Sequence, residues 1–176
     1  MKVSIITVTY NSRETVGKTI DSVLHQSYPD IDYWVIDGNS TDGTIDKVKQ
    51  YESRFERRLH GKLHWISEPD NGIYDAMNKG IERSTGDIVG ILNSDDWFTT
   101  NDVVEKIVKS FTDDIDAVYG DIHTVQKETP DVCSYRCKSS FFRPCLLKFG
   151  WAPPHPSFYV RRSIIKAYGA YDPTYK

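Results

Sequence analysis

Two adjacent carboxylates, Asp95 and Asp96, follow a polar pair, Asn93-Ser94, directly after the apolar run from Asp87 to Leu92. Oxygen donors of this kind suit Mg2+ or Mn2+, which take only one or two protein carboxylates and complete their shell with phosphate oxygens and water. Successive side chains on a regular strand point to opposite faces, so a strand could not aim both carboxylates at one ion. A turn immediately after the strand can aim one at a metal and the other elsewhere. The same four residues also read as an ordinary polar strand exit before a helix near Asp102, because Asp is common in turns. Spacing alone leaves both readings open.

Other polar residues end apolar runs in the same way: Thr9-Tyr10-Asn11, Asp37 and Asp70-Asn71. In open α/β sheets, ligands bind beyond the carboxyl ends of the strands. Acidic groups gathered at one such rim repel one another, and a divalent cation resolves that repulsion. Each residue also has a plainer reading. Tyr10 serves as a stacking surface or as a core aromatic, and Asn11 as a ligand contact, a helix cap or both. Asp42 reads as a cap rather than a ligand. Trp97 and Trp151 can stack on a sugar, although apolar packing suffices for both. His155, between two prolines, fits a structural role as well as an acceptor contact.

The elements that must position these groups follow from the apolar pattern. Lys2 to Thr9 is β-branched and short enough for a buried strand. Asn11 and Glu14 have capping-box spacing, and Val16, Ile20, Val23 and Leu24 mark one helix face up to Tyr28-Pro29. Tyr33 to Ile36 is a second strand ending at Asp37. The turn Gly38 to Thr44 offers capping side chains to a helix reaching about Phe55, and Glu52 to Arg58 reads as its solvated end. Leu63 to Ile66 is a third strand, and Asp70-Asn71-Gly72 turns into a helix carrying Ile73, Met77 and Ile81. Asp87 to Leu92 is a fourth strand. Val103, Val104, Ile107, Val108 and Phe111 mark a further helix, and Ala117 to Tyr119 a fifth strand. Such alternation predicts a parallel sheet with helices on both faces. Residues 122–156, rich in prolines and aromatics, read as a hairpin plus a long loop, a candidate acceptor-side wall.

The 176-residue length fits one domain spanning 1–176, with residues 122–176 beginning the acceptor-side region. Hydrophobic residues make up 39% and charged residues 27%, which excludes a disordered chain. A net charge of −3 and a pI near 5.9 argue against a nucleic-acid groove. No stretch approaches the ~20 apolar residues of a membrane span, and the N-terminus does not read as a signal peptide. The expectation is a cytoplasmic protein, with peripheral attachment at the inner face of the membrane left open. Cys133, Cys137 and Cys145 have no Cys-x-x-Cys spacing and read as reduced thiols rather than a disulfide framework or a zinc site.

Four segments occur in order: Ser4 to Asn11, Val35 to Thr44, Asp70 to Gly80 and Leu92 to Asp96. Together they resemble the family 2 inverting glycosyltransferases of the GT-A fold. His155-Pro156-Ser157-Phe158 and Tyr171-Asp172 are similar to later segments of that family. The resemblance implies a GT-A-like three-layer α/β/α fold, with a mostly parallel Rossmann-like sheet and a loop-rich C-terminal segment. It also implies that Thr9, Tyr10 and Asn11 lie beside a nucleotide base, that Asp37 helps hold the base or ribose, and that Asp70 lines the same pocket. Asp95 and Asp96 match the acidic metal motif. Asp96 is favoured for the metal and Asp95 for the ribose or diphosphate, with the two roles exchangeable, and Asn93 adjoins them. Gly38 stands where many relatives have a second Asp, and Asn93 where many have Asp.

By the same resemblance, the donor is a nucleotide-diphosphate sugar, with a UDP-sugar favoured, bound with Mg2+ or Mn2+. The acceptor is a saccharide or a lipid-linked acceptor, the setting polysaccharide biosynthesis. The general base of the family follows a segment like Tyr171-Asp172-Pro173, so it is expected beyond Lys176. Asp121 and Asp172 are the remaining acidic candidates, and neither matches that position. A dinucleotide-dependent dehydrogenase is disfavoured, since Thr9-Tyr10-Asn11-Ser12 stands where Gly-x-Gly-x-x-Gly is required. A nucleotidyltransferase is disfavoured because no glycine-rich, Arg-containing loop follows strand one. A noncatalytic nucleotide-sugar-binding module remains the main rival.

Overall fold

A computed structural model describes residues 1–57, 61–126, 129–141, 143–150 and 152–174. Three strands alternate with three helices at the start of the chain: β1 (Val3–Thr9), α1 (Val16–Leu24), β2 (Ile31–Asp37), α2 (Thr44–Glu56), β3 (Gly61–Ser67) and α3 (Ile73–Arg83). Then come β4 (Ile88–Ile91), α4 (Val103–Ser110), β5 (Ala117–Val118), a hairpin of β6 (Ile122–Gln126) and β7 (Thr129–Cys137), β8 (Tyr159–Arg161) and α5 (Arg162–Tyr168). The main sheet has the order β3-β2-β1-β4-β8-β5, with β1 to β4 mutually parallel and β8 antiparallel to both neighbours.

Every residue of β1 and β4 is buried, as expected of central strands covered on both faces. One face carries Ile5, Tyr33 and Val35 against Val16, Ile20 and Val23 of α1, Val48 and Phe55 of α2, and Val104 of α4. The other carries Ile6, Val8, Ile36 and Ile91 against Ala76, Met77 and Ile81 of α3. The expected three-layer arrangement is therefore present, with a core on each side of the sheet. A Cβ at Gly80 would collide with the side chain of Ile6, so α3 can approach β1 this closely only with glycine there. That approach brings the start of α3 to the carboxyl end of β1.

Two expectations require correction, and one strand was not anticipated. Asn11 and Glu14 do not form a capping box. The chain turns through residues 12–15, with the N–H groups of Thr15 and Val16 donating to the Ser12 carbonyl. The helix starts at Val16 without a side-chain cap, and the Asn11 side chain serves a different loop. Ile73 does not join the core with Met77 and Ile81; it is exposed at the cleft described below. Residues 122–156 do form a hairpin, followed by short 3-10 turns at 139–141, 144–149 and 155–157; after Phe158 the chain returns to the main sheet as β8, the strand not anticipated. A three-residue strand has no room for a periodic signal.

Candidate functional site

The carboxyl ends of β1 to β4 meet through their loops, and side-chain-to-backbone bonds join those loops. Asn11 adopts φ 47 and its Oδ1 accepts from Thr41 N–H at 3.0 Å, while its own N–H donates to Ser40 Oγ at 2.8 Å. Ser12 N–H donates to Thr44 Oγ1 at 2.9 Å, and Arg13 N–H to Asp42 Oδ2 at 3.1 Å. Ser94 Oγ donates to Ser12 Oγ at 2.9 Å, tying the β4 exit to the same network. Asp42 also accepts from Thr44 N–H, so it holds two loops together while lining the cleft described below.

Asp37 lies beneath this network and is 0% exposed. Its Oδ1 accepts from Ser40 Oγ at 2.5 Å, and its Oδ2 from Ser40 N–H at 2.9 Å and Ser67 Oγ at 2.6 Å. Three donors satisfy both oxygens, and the buried carboxylate binds the exits of β2 and β3 to each other. The lining of the cleft does not include it.

Above the network opens a cleft of about 810 Å3. Of the residues singled out for donor binding, Thr9, Tyr10, Asn11, Asp70, Asn93 and Asp95 line it. Tyr10 is 66% exposed, which excludes the core-aromatic reading and leaves its ring open to a ligand. Asp70 Oδ1 accepts from Gly72 N–H at 2.9 Å. Its Oδ2 lies 2.5 Å from the position a Cβ on Gly38 would occupy, and Tyr10 Cδ2 lies 3.4 Å from the same point. Asp70 thus fills the space that a side chain at position 38 would need.

Two buried oxygens of the lining residues have no hydrogen-bond partner: Thr9 Oγ1 and Asn93 Oδ1. An unpaired buried polar atom costs about 1–3 kcal/mol, so its presence calls for an explanation. Asn93 Nδ2 donates to Asp96 Oδ2 at 3.3 Å, and Asp96 N–H to the Asn93 carbonyl at 3.0 Å, closing the turn that the sequence required. Asp95 is exposed and lines the cleft, whereas Asp96 is half-buried and is not among the cleft-lining residues. Burial and then the neighbouring charge of Asp95 push the Asp96 carboxyl above its ordinary range, against the opposing Asn93 amide. A carboxylate whose ionised form is disfavoured in this way gains most from a nearby cation. Asp95, Asp96 and Asn93 Oδ1 together offer the hard oxygen donors that Mg2+ or Mn2+ prefers.

Sequence reasoning missed Arg13, an exposed cation lining the cleft. The only signal for it was a basic residue in the loop after a strand, which is too common to single out. Trp97 is not a free stacking surface, since the Lys18 ammonium sits 3.2 Å from its ring centroid. Trp151 lies outside the described residues.

His155 is not among the cleft-lining residues. Its Nε2 shares a hydrogen bond of 2.8 Å with the Tyr171 hydroxyl, and burial holds its pKa below the ordinary value. Tyr171 stacks on Tyr74 of α3, and Asn78 grips its backbone by accepting from the N–H and donating to the carbonyl. The Tyr171 hydroxyl is pushed up to about 12, chiefly by burial. Asp121 accepts from Ser139 N–H and Oγ, and Asp172 from Thr174 N–H and Oγ1. Those bonds hold both carboxyls below the usual range, which makes them weak bases.

Comparison with known proteins agrees with this geometry. Residues 4–166 match the profile described as Glycosyl transferase family 2. The putative teichuronic acid biosynthesis glycosyltransferase TuaG of Bacillus subtilis is 42% identical over 104 residues, covering 59% of this chain and 39% of that protein. A PGL/p-HBAD biosynthesis glycosyltransferase of Mycobacterium bovis is 29% identical over 175 residues, covering 98% of this chain and 64% of that protein. The chain thus spans between about 39% and 64% of the length of these relatives. Among solved structures, the mannosyltransferase PcManGT from Pyrobaculum calidifontis in complex with GDP-Man and Mn2+ gives a TM-score of 0.73 at 21% identity, covering 98% of this chain and 48% of that one. S. aureus TarS 1-349 in complex with UDP-GlcNAc gives 0.71 at 22% identity, covering 95% and 47%. Those likenesses establish a GT-A-like α/β fold, and with the profile match over nearly its whole length the chain belongs to glycosyl transferase family 2.

Proposed function

We propose that the cleft at the carboxyl ends of β1 and β4 is the donor site of a glycosyltransferase. It takes a nucleotide-diphosphate sugar, a UDP-sugar favoured, and serves transfer of the sugar to an acceptor hydroxyl with inversion. The observation that carries this reading is a cleft at the strand ends that presents Asp95, Asn93 and an exposed Tyr10, with the half-buried Asp96 bonded to Asn93.

In this reading Tyr10 stacks on the base, and Asp70, which occupies the space over Gly38, lines the base and ribose side. Asp37 acts from behind by fixing the loops, whereas Asn11 fixes a loop and also lines the cleft. Asp96 and Asn93 hold the divalent cation, with Asp95 at the ribose or diphosphate. A divalent cation held there would supply neutralisation of charge on the departing diphosphate. Arg13 adds a second positive charge at the cleft. Residues 122–176 form part of the acceptor side, for a saccharide or lipid-linked acceptor in cell-surface polysaccharide synthesis at the cytoplasmic face of the membrane.

Calorimetric titration of residues 1–176 with UDP-GlcNAc, UDP-glucose and GDP-mannose, each with Mn2+, tests the donor site. Saturable binding of at least one donor is the expected result, and absence of binding by all three removes the reading. A noncatalytic nucleotide-sugar-binding module is the second reading, since neither Asp121 nor Asp172 lines the cleft. Release of free nucleoside diphosphate dependent on an acceptor, measured in a longer version of the chain, decides for the transferase. Binding without such release decides for the module.

A further inference from the structure

The charge of this chain is unevenly distributed. Residues 132–171 contain seven of its 22 Lys and Arg and none of its 25 Asp and Glu, so a stretch of charge +7 sits in a chain of net charge −3. Two of the seven are committed: Arg136 pairs with Asp121 at 3.1 Å, and Arg161 donates to the carbonyls of Ile115 and Thr112. Lys138, Lys148 and Lys166 are exposed and have no ion pair among the described residues. A segment with this excess of cations over acids suits an anionic partner.

Exposed apolar side chains show the same segregation. Apart from Met1, the large exposed hydrophobics among the described residues fall in two places. Tyr10 and Ile73 line the donor cleft. Tyr135, Leu147, Phe149 and Tyr168 fall in the basic stretch, with Phe149 and Tyr168 each 85% exposed. Leu147 and Phe149 flank Lys148 at the end of the 3-10 turn spanning 144–149. A phenyl ring and an isobutyl group on either side of a lysine suit the boundary between lipid headgroups and acyl chains. The apolar groups enter that boundary and the ammonium remains among anionic headgroups. Nucleic acid is the less fitting anion, since Leu147 offers a base neither stacking nor a hydrogen bond. No described helix is long and apolar enough to cross a membrane, so the contact is a surface one.

We infer that the segment around Leu147, Lys148 and Phe149, together with Lys138, docks the protein on an anionic lipid surface. The inference goes beyond the donor-site reading and does not depend on it, because lipid binding is measured without nucleotide. Each cation near an anionic membrane strengthens binding about fivefold, and one or two inserted apolar side chains add a comparable factor. Such contacts give reversible attachment.

The test is co-sedimentation of residues 1–176 with vesicles of phosphatidylglycerol and phosphatidylcholine mixed, and of phosphatidylcholine alone, at low and high salt. Binding is expected to the mixed vesicles, to weaken with salt, and to be at least about tenfold weaker on phosphatidylcholine alone. Lys148→Glu, and separately the pair Leu147→Ser and Phe149→Ser, are each expected to lower binding on the order of tenfold. Their thermal unfolding should stay unchanged, which keeps a lost contact distinct from a lost fold. Equal binding to both lipids, unaltered binding by both variants, or tighter binding to a single-stranded oligonucleotide than to the anionic vesicles would overturn the inference. Failure here with intact donor binding leaves the donor site standing, and the reverse holds equally.

Discussion

Tyr10 is an aromatic ring that the fold leaves 66% exposed at the rim of a cleft whose lining also holds two partnerless oxygens. Stacking of an aromatic side chain on a base contributes about 1–3 kcal/mol, so Tyr10→Ala should weaken donor binding roughly tenfold while Tyr10→Phe leaves it nearly unchanged. Calorimetry on the two variants checks this, and equal weakening by both would assign the role to the hydroxyl instead of the ring. The sequence already showed that Tyr10, Asn93 and Asp95 stand at strand ends, because the strands before them are continuous apolar runs. It did not show where the side chains go. Asp37 looked equivalent to Asp95, yet three donors from Ser40 and Ser67 claim it and keep it out of the cleft. Asn11 looked like a cap, yet its amide bridges to Thr41 thirty residues away. Such partners are long-range and leave no local pattern.

At the scale of elements, the sheet beneath the site is packed on both faces. Phe55 of α2 is buried and stacks on Tyr33 of β2, with ring centroids 5.6 Å apart. Phe55→Ala should therefore cost about 3–5 kcal/mol, read by denaturant unfolding; a cost below about 1 kcal/mol would mean that the helix is not anchored there. Asp32 joins β2 to β1 and to the turn before β4. Burial pushes its carboxyl up, but Thr85 N–H, the Ser4 and Thr85 hydroxyls and Lys2 outweigh burial and leave it below the usual range. A carboxylate depressed on folding adds stability above its unfolded pKa of about 3.9, and that stability is lost as pH falls through the lower folded value. Asp32→Asn should thus be less stable than the native chain at pH 7, with the difference shrinking below about pH 4. A difference independent of pH would contradict the ionic role. The longer strands and α2 to α4 were legible in the sequence to within about two residues, whereas α1 is shorter at both ends than the stretch from Asn11 to Tyr28 suggested. β8 was not, because three residues between a proline-rich loop and a helix carry no period, and only pairing with β4 and β5 makes them a strand.

For the whole molecule, the chain belongs to glycosyl transferase family 2, and the cleft at the β1 and β4 exits is the proposed donor site. The acidic turn that closes β4 is the part on which the account depends most. It combines a half-buried carboxyl raised above its ordinary range, an exposed carboxylate and an orphaned amide oxygen. The most direct measurement is calorimetric titration of UDP into residues 1–176 and into Asp96→Ala, with and without Mn2+. The account predicts that Mn2+ tightens UDP binding to the native chain at least about tenfold and has little effect on the variant. Equal Mn2+ dependence in both proteins, or none in the native chain, would contradict a metal–diphosphate site at Asn93 to Asp96.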